Sequence, residues 1–205
     1  MKPEERISHQ NNKSISSNSK NPTENKINNL LLAVTECTAV LLNDEDFDRG
    51  VSKALKILGT SIGADRVGIG EQHDDPTGET FGYISIAPYE WLSSGTTSQV
   101  HHQELNRINC NEIKEDYYEL LAGNHAGGLI ETFPEPFRSG QQKLEVKATY
   151  AIPIMVKGQY WGYLGLDFCR TARKLCEAEI NLLKTAATCI GSAIQRERNR
   201  QIKTQ

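Results

Sequence analysis

The chain has 205 residues, 38% hydrophobic and 24% charged, enough to enclose one core of the roughly 100–200 residues typical of a domain. Its 23 Lys+Arg against 26 Asp+Glu leave a formal charge of −3, so no overall field favours a nucleic acid or an anionic membrane as partner. No apolar run reaches the roughly 18–20 residues that span a bilayer, and "MKPEERISHQNNK" has no apolar signal-peptide core. Five scattered cysteines without Cys-x-x-Cys spacing suit a reducing, cytoplasmic setting.

Residues 1–26 are rich in Asn, Ser, Lys and Glu and poor in large apolar side chains, the composition of a disordered polar tail. From Ile27 the pattern changes, because Ile27, Leu31, Val34, Thr38 and Leu41 step by four and three, the stripe of an amphipathic helix. A second helix follows, with Asn43, Asp44 and Asp46 suited to its cap and first turn and Val51, Ala54, Leu55, Leu58 and Ile62 on one face. Gly59 and Gly63 prepare its end.

A first hairpin is predicted from Arg66–Glu71 and Thr80–Ala87, with Asp-Pro and Gly78 in the turn. Residues 92–112 have no sustained period and form a long excursion or weakly paired edge structure. A helix over Ile113–Leu121 closed by Gly123, a short strand over His125–Ile130 and a helix over Phe133–Leu144 are expected next. Thr149–Val156 and Tyr160–Phe168 then make a second, stronger hairpin around Lys157-Gly158, with Pro153 marking a bulge or an unpaired position.

Simple alternation puts Trp161, Tyr163 and Gly165 on one face of the last strand and Tyr160, Gly162, Leu164 and Leu166 on the other. Both faces are largely apolar, so this strand is expected at the centre of a sheet covered on both sides. Glu177–Arg198 is helical, with Ile180, Leu183, Ala187, Ile190 and Ile194 spaced as a coiled-coil seam. The order describes an α+β domain, a central antiparallel sheet flanked by N- and C-terminal helices.

The stretches "ADRVGIGEQHDDPTGETFGYISIAPYEW", "LEVKATYAIPIMVKGQYWGYLGLDFC" and "EAEINLLKTAATCIGSAIQRE" resemble the GAF domain, in particular those of bacterial sensor proteins of cyanobacterial type. The resemblance is most specific at Pro153-Ile154, Trp161-Gly162-x-x-Gly165 and Glu179-Ile180-x-Leu182-Leu183, and it covers 27–198, leaving 1–26 and 199–205 as polar tails. Two departures stand out: Leu175-Cys176 where relatives carry an aromatic and a hydroxyl, and Cys110 where they commonly carry Trp. A thiol accepts poorly from a helix N-terminus, which predicts a weaker start for the last helix.

The resemblance implies a non-enzymatic signal-transduction module of two-component type that senses a small molecule, dimerises, or both. The runner-up readings are a ligand-free dimerisation scaffold and a thiol redox protein using Cys169 and Cys176. Family geometry places a pocket between the sheet and residues 88–148, with Tyr89, Trp91, His125, Tyr150 and Asp167 as candidates, although Asp167 suits a turn cap with Arg170 equally well. Ile27, Leu31, Val34, Ile180, Leu183, Ala187, Ile190 and Ile194 would form the dimer helices.

The cofactor is left unknown. Covalent bilin attachment is set aside because no Cys precedes Val146-Lys147-Ala148 at the usual distance, Pro136-Phe137 standing there instead. No metal set is found, His101-His102 lacking spaced partners. Expected partners are a second copy of the chain and a histidine kinase or other signalling output protein, with neither nucleic acid nor membrane.

Overall fold

A computed structural model describes residues 22–102 and 105–204. The tail expected over 1–26 falls largely outside these residues, and its last five, from Pro22, already belong to the first helix. The elements are α1 (Pro22–Asn43), α2 (Phe47–Ile62), β1 (Arg66–His73), β2 (Tyr83–Leu92), β3 (Arg107–Asn109), α3 (Lys114–Leu121), β4 (Ala126–Leu129), α4 (Phe137–Lys143), β5 (Ala148–Val156), β6 (Gln159–Phe168) and α5 (Glu177–Thr204). They make the expected α+β architecture: one six-stranded antiparallel sheet, in the order β3-β2-β1-β6-β5-β4, with helices from both ends of the chain.

Local chemistry sets the helix ends. Asp46 caps α2 by accepting from Arg49 N at 2.9 Å, and Gly63 closes it in a left-handed conformation at φ 72°. At α5 the thiol of Cys176 is bypassed: Glu179 reaches back to accept from Cys176 N at 2.9 Å and is itself gripped by Arg173. This is the carboxylate half of a capping box, and it supports the helix start that the missing hydroxyl would have left weak.

One face of the sheet carries the helical layer. Val67 and Ile69 of β1, Ile152 and Ile154 of β5 and Leu164, Leu166 and Phe168 of β6 pack under Leu55 and Leu58 of α2 and the inward face of α5. Val34, Ile180, Leu183, Ala187, Ile190 and Ile194, expected to be dimer helix residues, are all at most 5% exposed and belong to this core. The sequence stripe was real, but a stripe of period 3.6 packs on a sheet as readily as on a partner helix. Of the expected set, Leu31 is half exposed and Ile27 partly so.

Two irregularities reassign side chains. Between Gly68 and Gly70 the β1–β2 register shifts, so residues 87–89 of β2 stand opposite Ile69. Between Ile154 and Met155 the β5–β6 register shifts, pairing Ile154 with Gly162 and Met155 with Tyr160. The bulge sits one residue beyond Pro153, which itself pairs in register with Tyr163. Trp161 is thereby turned to the helical face, under the guanidinium of Arg198 at 5.5 Å, and Tyr160 to the opposite face against Tyr117. Strict alternation had placed them the other way round.

Candidate functional site

The second face of the sheet is covered by the excursion between β2 and β5. A 3-10 turn over Cys110–Ile113 and helices α3 and α4 fold over it, while β3 and β4 of the same excursion extend the sheet at its two edges. Between this cover and the sheet lies a cavity of about 60 Å³. At roughly 10–15 Å³ per water that is room for about four to six waters.

The floor comes from the sheet. Gly68, Gly165, Ala151 and Thr149 present little side chain there, and Tyr163 lies across it. A Cβ on Gly70 would come within 2.6 Å of the Tyr163 ring, and one on Gly165 within 2.8 Å, so these glycines clear the space in which the ring rests. Burial, with the nearby Asp167 charge next, pushes the Tyr163 hydroxyl well above its ordinary pKa and keeps it neutral. The apolar walls are Ile86 and Ile108 from the sheet edge, Ile113 and Leu120 around α3, and Phe133 and Phe137 before and within α4.

The polar lining is concentrated at one end. Arg66, 2% exposed, donates from Nε to Asp167 Oδ2 at 2.8 Å and from Nη1 to the Thr97 carbonyl at 2.7 Å. Its Nη2 stands 2.8 Å from the same carboxylate oxygen but lacks an aligned acceptor. Burial works against the guanidinium charge, yet the Asp167 pairing outweighs it and raises the pKa further. Asp167 also accepts from Thr149 Oγ1 at 2.6 Å. Glu90, whose Oε1 is 4.0 Å from Arg66 Nε, accepts from Ser98 Oγ at 2.5 Å and Gln99 N at 2.8 Å.

Gln141 on α4, 5% exposed, contributes an Oε1 with no hydrogen-bond partner among the described residues. Asp116 on α3 completes the polar set. Its carboxyl pKa is raised by burial first and by Glu115 and Glu119 next.

Of the five candidate site residues only Asp167 lines this cavity. It pairs with Arg66 rather than capping the following turn; that task falls to Asp65, which accepts from Cys169 N at 2.7 Å and Arg170 N at 3.0 Å. Tyr89, Trp91 and Tyr150 project from the helical face, one residue out of phase with Glu90, Thr149 and Ala151. Tyr89 donates to Asp48 at 2.5 Å, Trp91 covers Gly59 of α2, and the Tyr150 hydroxyl bridges Arg173 and Leu175. His125 is an exposed residue of the α3–β4 loop.

Arg66, Glu90, Asp116 and Gln141 went unnoticed in the sequence. The signal available for the first two was the charge carried inside otherwise apolar strands, at "DRVGIG" and "PYEWL".

The cysteines are not arranged as a redox centre. Burial pushes the Cys37 thiol up to about 12 and those of Cys110 and Cys169 to about 11, the reverse of what a nucleophilic thiolate requires. Cys169 Sγ contacts the Leu144 carbonyl at 3.7 Å, and Cys176 is exposed. Among the described residues, no group of three or more His, Cys, Asp or Glu is placed to hold a metal ion.

The strand order β3-β2-β1-β6-β5-β4, with helices from both chain ends on one face and the β2–β5 excursion on the other, defines an α+β domain. Residues 46–194 match the GAF domain, and the chain belongs to that family. It is 29% identical over 176 residues to the methanogenesis regulatory histidine kinase FilI of Methanothrix harundinacea (strain 6Ac). That match covers 85% of this chain, which spans 19% of the relative's length.

In fold it is similar to the phycocyanobilin-bound GAF domain of a cyanobacterial phytochrome, with a TM-score of 0.67 and 15% identity over 83% of this chain and 96% of that one. It is also similar to the free methionine-R-sulfoxide reductase of Neisseria meningitidis, solved with its substrate, at a TM-score of 0.64 and 14% identity over 85% and 93%. These likenesses correct the sequence reading of the cofactor, which left it unknown and set covalent bilin attachment aside: bilins are carried by solved neighbours of this fold. GAF domains are generally regulatory, and no helix among the described residues is long and apolar enough to cross a membrane.

Proposed function

We propose that this chain is a non-enzymatic sensory GAF module in which the cavity beneath the β2–β5 excursion binds a small molecule and α1 and α5 relay its occupancy. The observation that carries this reading is the pair of buried groups with unspent hydrogen-bonding capacity in one cavity, Arg66 Nη2 and Gln141 Oε1. Such groups cost stability while empty-handed and are expected where a ligand completes them. The output is a histidine kinase or another signalling protein in the cytoplasm, a role supported by the likeness to a regulatory kinase.

A homodimer is part of the proposal, through a surface that keeps Leu31 of the residues read as dimer helices in the sequence and replaces the buried ones. Leu31, Leu32 and Leu42, at 50%, 68% and 63% exposure, stand on the outer side of α1 and favour helix-to-helix assembly. The same observation favours a scaffold that dimerises without a ligand. Native mass spectrometry on protein purified gently from a cell extract, read alongside its visible absorption, separates the two. A stoichiometric adduct lost on denaturation supports the sensor, and an accompanying visible band would identify a pigment. A clean apo dimer supports the scaffold and removes the sensor reading.

A further inference from the structure

The polar lining of the cavity is unbalanced in charge and in hydrogen-bond type. Three carboxylates, Glu90, Asp116 and Asp167, line it with one cation, Arg66. Arg66 already has Asp167 Oδ2 at 2.8 Å and Glu90 Oε1 at 4.0 Å. A ligand carboxylate or phosphate approaching its remaining Nη2 would meet two fixed negative charges around one positive charge, so anions are disfavoured there.

The unspent capacity elsewhere in the cavity is of acceptor type. Among the described residues, Asp116 makes no hydrogen bond or ion pair and the carbonyl oxygen of the buried Gln141 side chain has no donor. A partly buried carboxylate without a counter-ion, sharing a cavity with an orphaned, buried amide oxygen, calls for a donor that also brings positive charge. The opposite wall, with Ile108, Ile113, Leu120 and Phe137, offers apolar contact.

Resting on the sensor reading, we propose that the ligand class of this cavity is a small primary amine: an ammonium group held by Asp116 and Gln141, carrying a compact apolar body and no carboxylate or phosphate. The volume of about 60 Å³ limits the body to a few non-hydrogen atoms. Asp116 supplies the charge that selects ammonium over a neutral hydroxyl, and Gln141 supplies a second, neutral acceptor. Burial, with Glu115 and Glu119, makes the unpaired Asp116 carboxyl hold its proton more tightly, and pairing with an ammonium relieves that burden.

The test is a set of probes on one branched five-carbon skeleton with three heads: isoamylamine, isoamyl alcohol and isovalerate, titrated into the full chain by ligand-observed NMR at neutral pH. The expected result is that the amine binds about tenfold more tightly than the alcohol, the effect of one charge-assisted hydrogen bond, with isovalerate weakest. Asp116→Asn then lowers amine affinity about tenfold and leaves the alcohol unchanged, while Gln141→Leu weakens the amine less. Circular dichroism of each variant confirms the fold.

Equal affinity for amine and alcohol, or a preference for isovalerate, overturns the assignment. If none of the three binds while protein from the extract carries an adduct, the amine assignment fails and the sensor reading stands. If none binds and the extract protein is bare, both fall together.

Discussion

Arg66 on β1 and Asp167 on β6 are register partners across the middle of the sheet, and both are buried, at 2% and 8% exposure. The ion pair ties the two central strands where the cavity's polar end lies. Removing one member leaves an uncompensated charge in a dry site, an effect that typically costs about 3–5 kcal/mol. Glu90, at 4.0 Å from Arg66, retains part of the compensation. Asp167→Ala is therefore expected near the lower end, about 3 kcal/mol in urea unfolding. An unchanged midpoint would show that the pair contributes nothing to the fold.

Gly59 and Trp91 make a second cross-layer contact, between α2 and β2. A Cβ at Gly59 would lie 2.2 Å from the Trp91 ring. In an open helix Gly→Ala gains about 1 kcal/mol; here overpacking, typically about 1–3 kcal/mol, opposes it and wins. Gly59→Ala should lower the melting temperature in the native background. With Trp91→Leu the penalty should shrink to what Val67 Cγ2, 3.0 Å from the same Cβ, imposes, and the double-mutant cycle measures the coupling. A stabilising Gly59→Ala in the native background would remove the contact.

The fold was legible because its signals are local. Asp46 before an apolar stripe and Gly63 after it bracket α2, and β-branched runs around Lys157-Gly158 mark the second hairpin. The site was not legible because its signals are relational. Tyr89 and Glu90 are neighbours in sequence but face opposite sides of the sheet. Which of them meets the excursion depends on pairing and bulges that alternation alone does not encode. Aromatic residues drew the candidate list to the helical face, while Arg66 and Gln141 gave no motif. The helix stripes at Ile180 to Ile194 were read correctly as apolar and assigned to the wrong partner, since a sheet and a second protomer ask for the same spacing.

Asp116 gives the chain a pH signature. Its carboxyl pKa in the folded chain is raised above 3.8, by burial first and Glu115 and Glu119 next. A group raised in this way binds its proton more tightly when folded, so it destabilises the ionised protein and that penalty disappears as pH falls through the raised value towards 3.8. Asp116→Asn should thus melt higher than the native chain at neutral pH, with the difference shrinking on acidification. A difference constant with pH would mean that the carboxyl feels no burial.

Thiol chemistry offers a check on the redox alternative. Cys37 and Cys110 are buried, with thiols pushed up to about 12 and about 11, whereas Cys176 is exposed. A disulfide-exchange reagent at mildly alkaline pH should label Cys176 first, with Cys37 and Cys110 reacting only after denaturation. Rapid native labelling of Cys169, whose thiol is held up to about 11, would reopen a redox role.

Tyr150 separates a structural aromatic from a ligand-binding one. Its hydroxyl donates to the Arg173 carbonyl at 3.2 Å and accepts from Leu175 N at 3.1 Å, fastening β5 to the segment that leads into α5. Tyr150→Phe keeps the ring in the core and leaves the Leu175 N–H without its acceptor, a loss of about 1–2 kcal/mol. Because its neighbours Thr149 and Ala151, not Tyr150, line the cavity, ligand affinity should stay at the native value while stability falls. The readouts are urea unfolding and titration of a cavity ligand on the same sample. Should affinity drop with stability unchanged, Tyr150 would belong to the binding site and the division of the sheet into a helical face and a cavity face would be wrong.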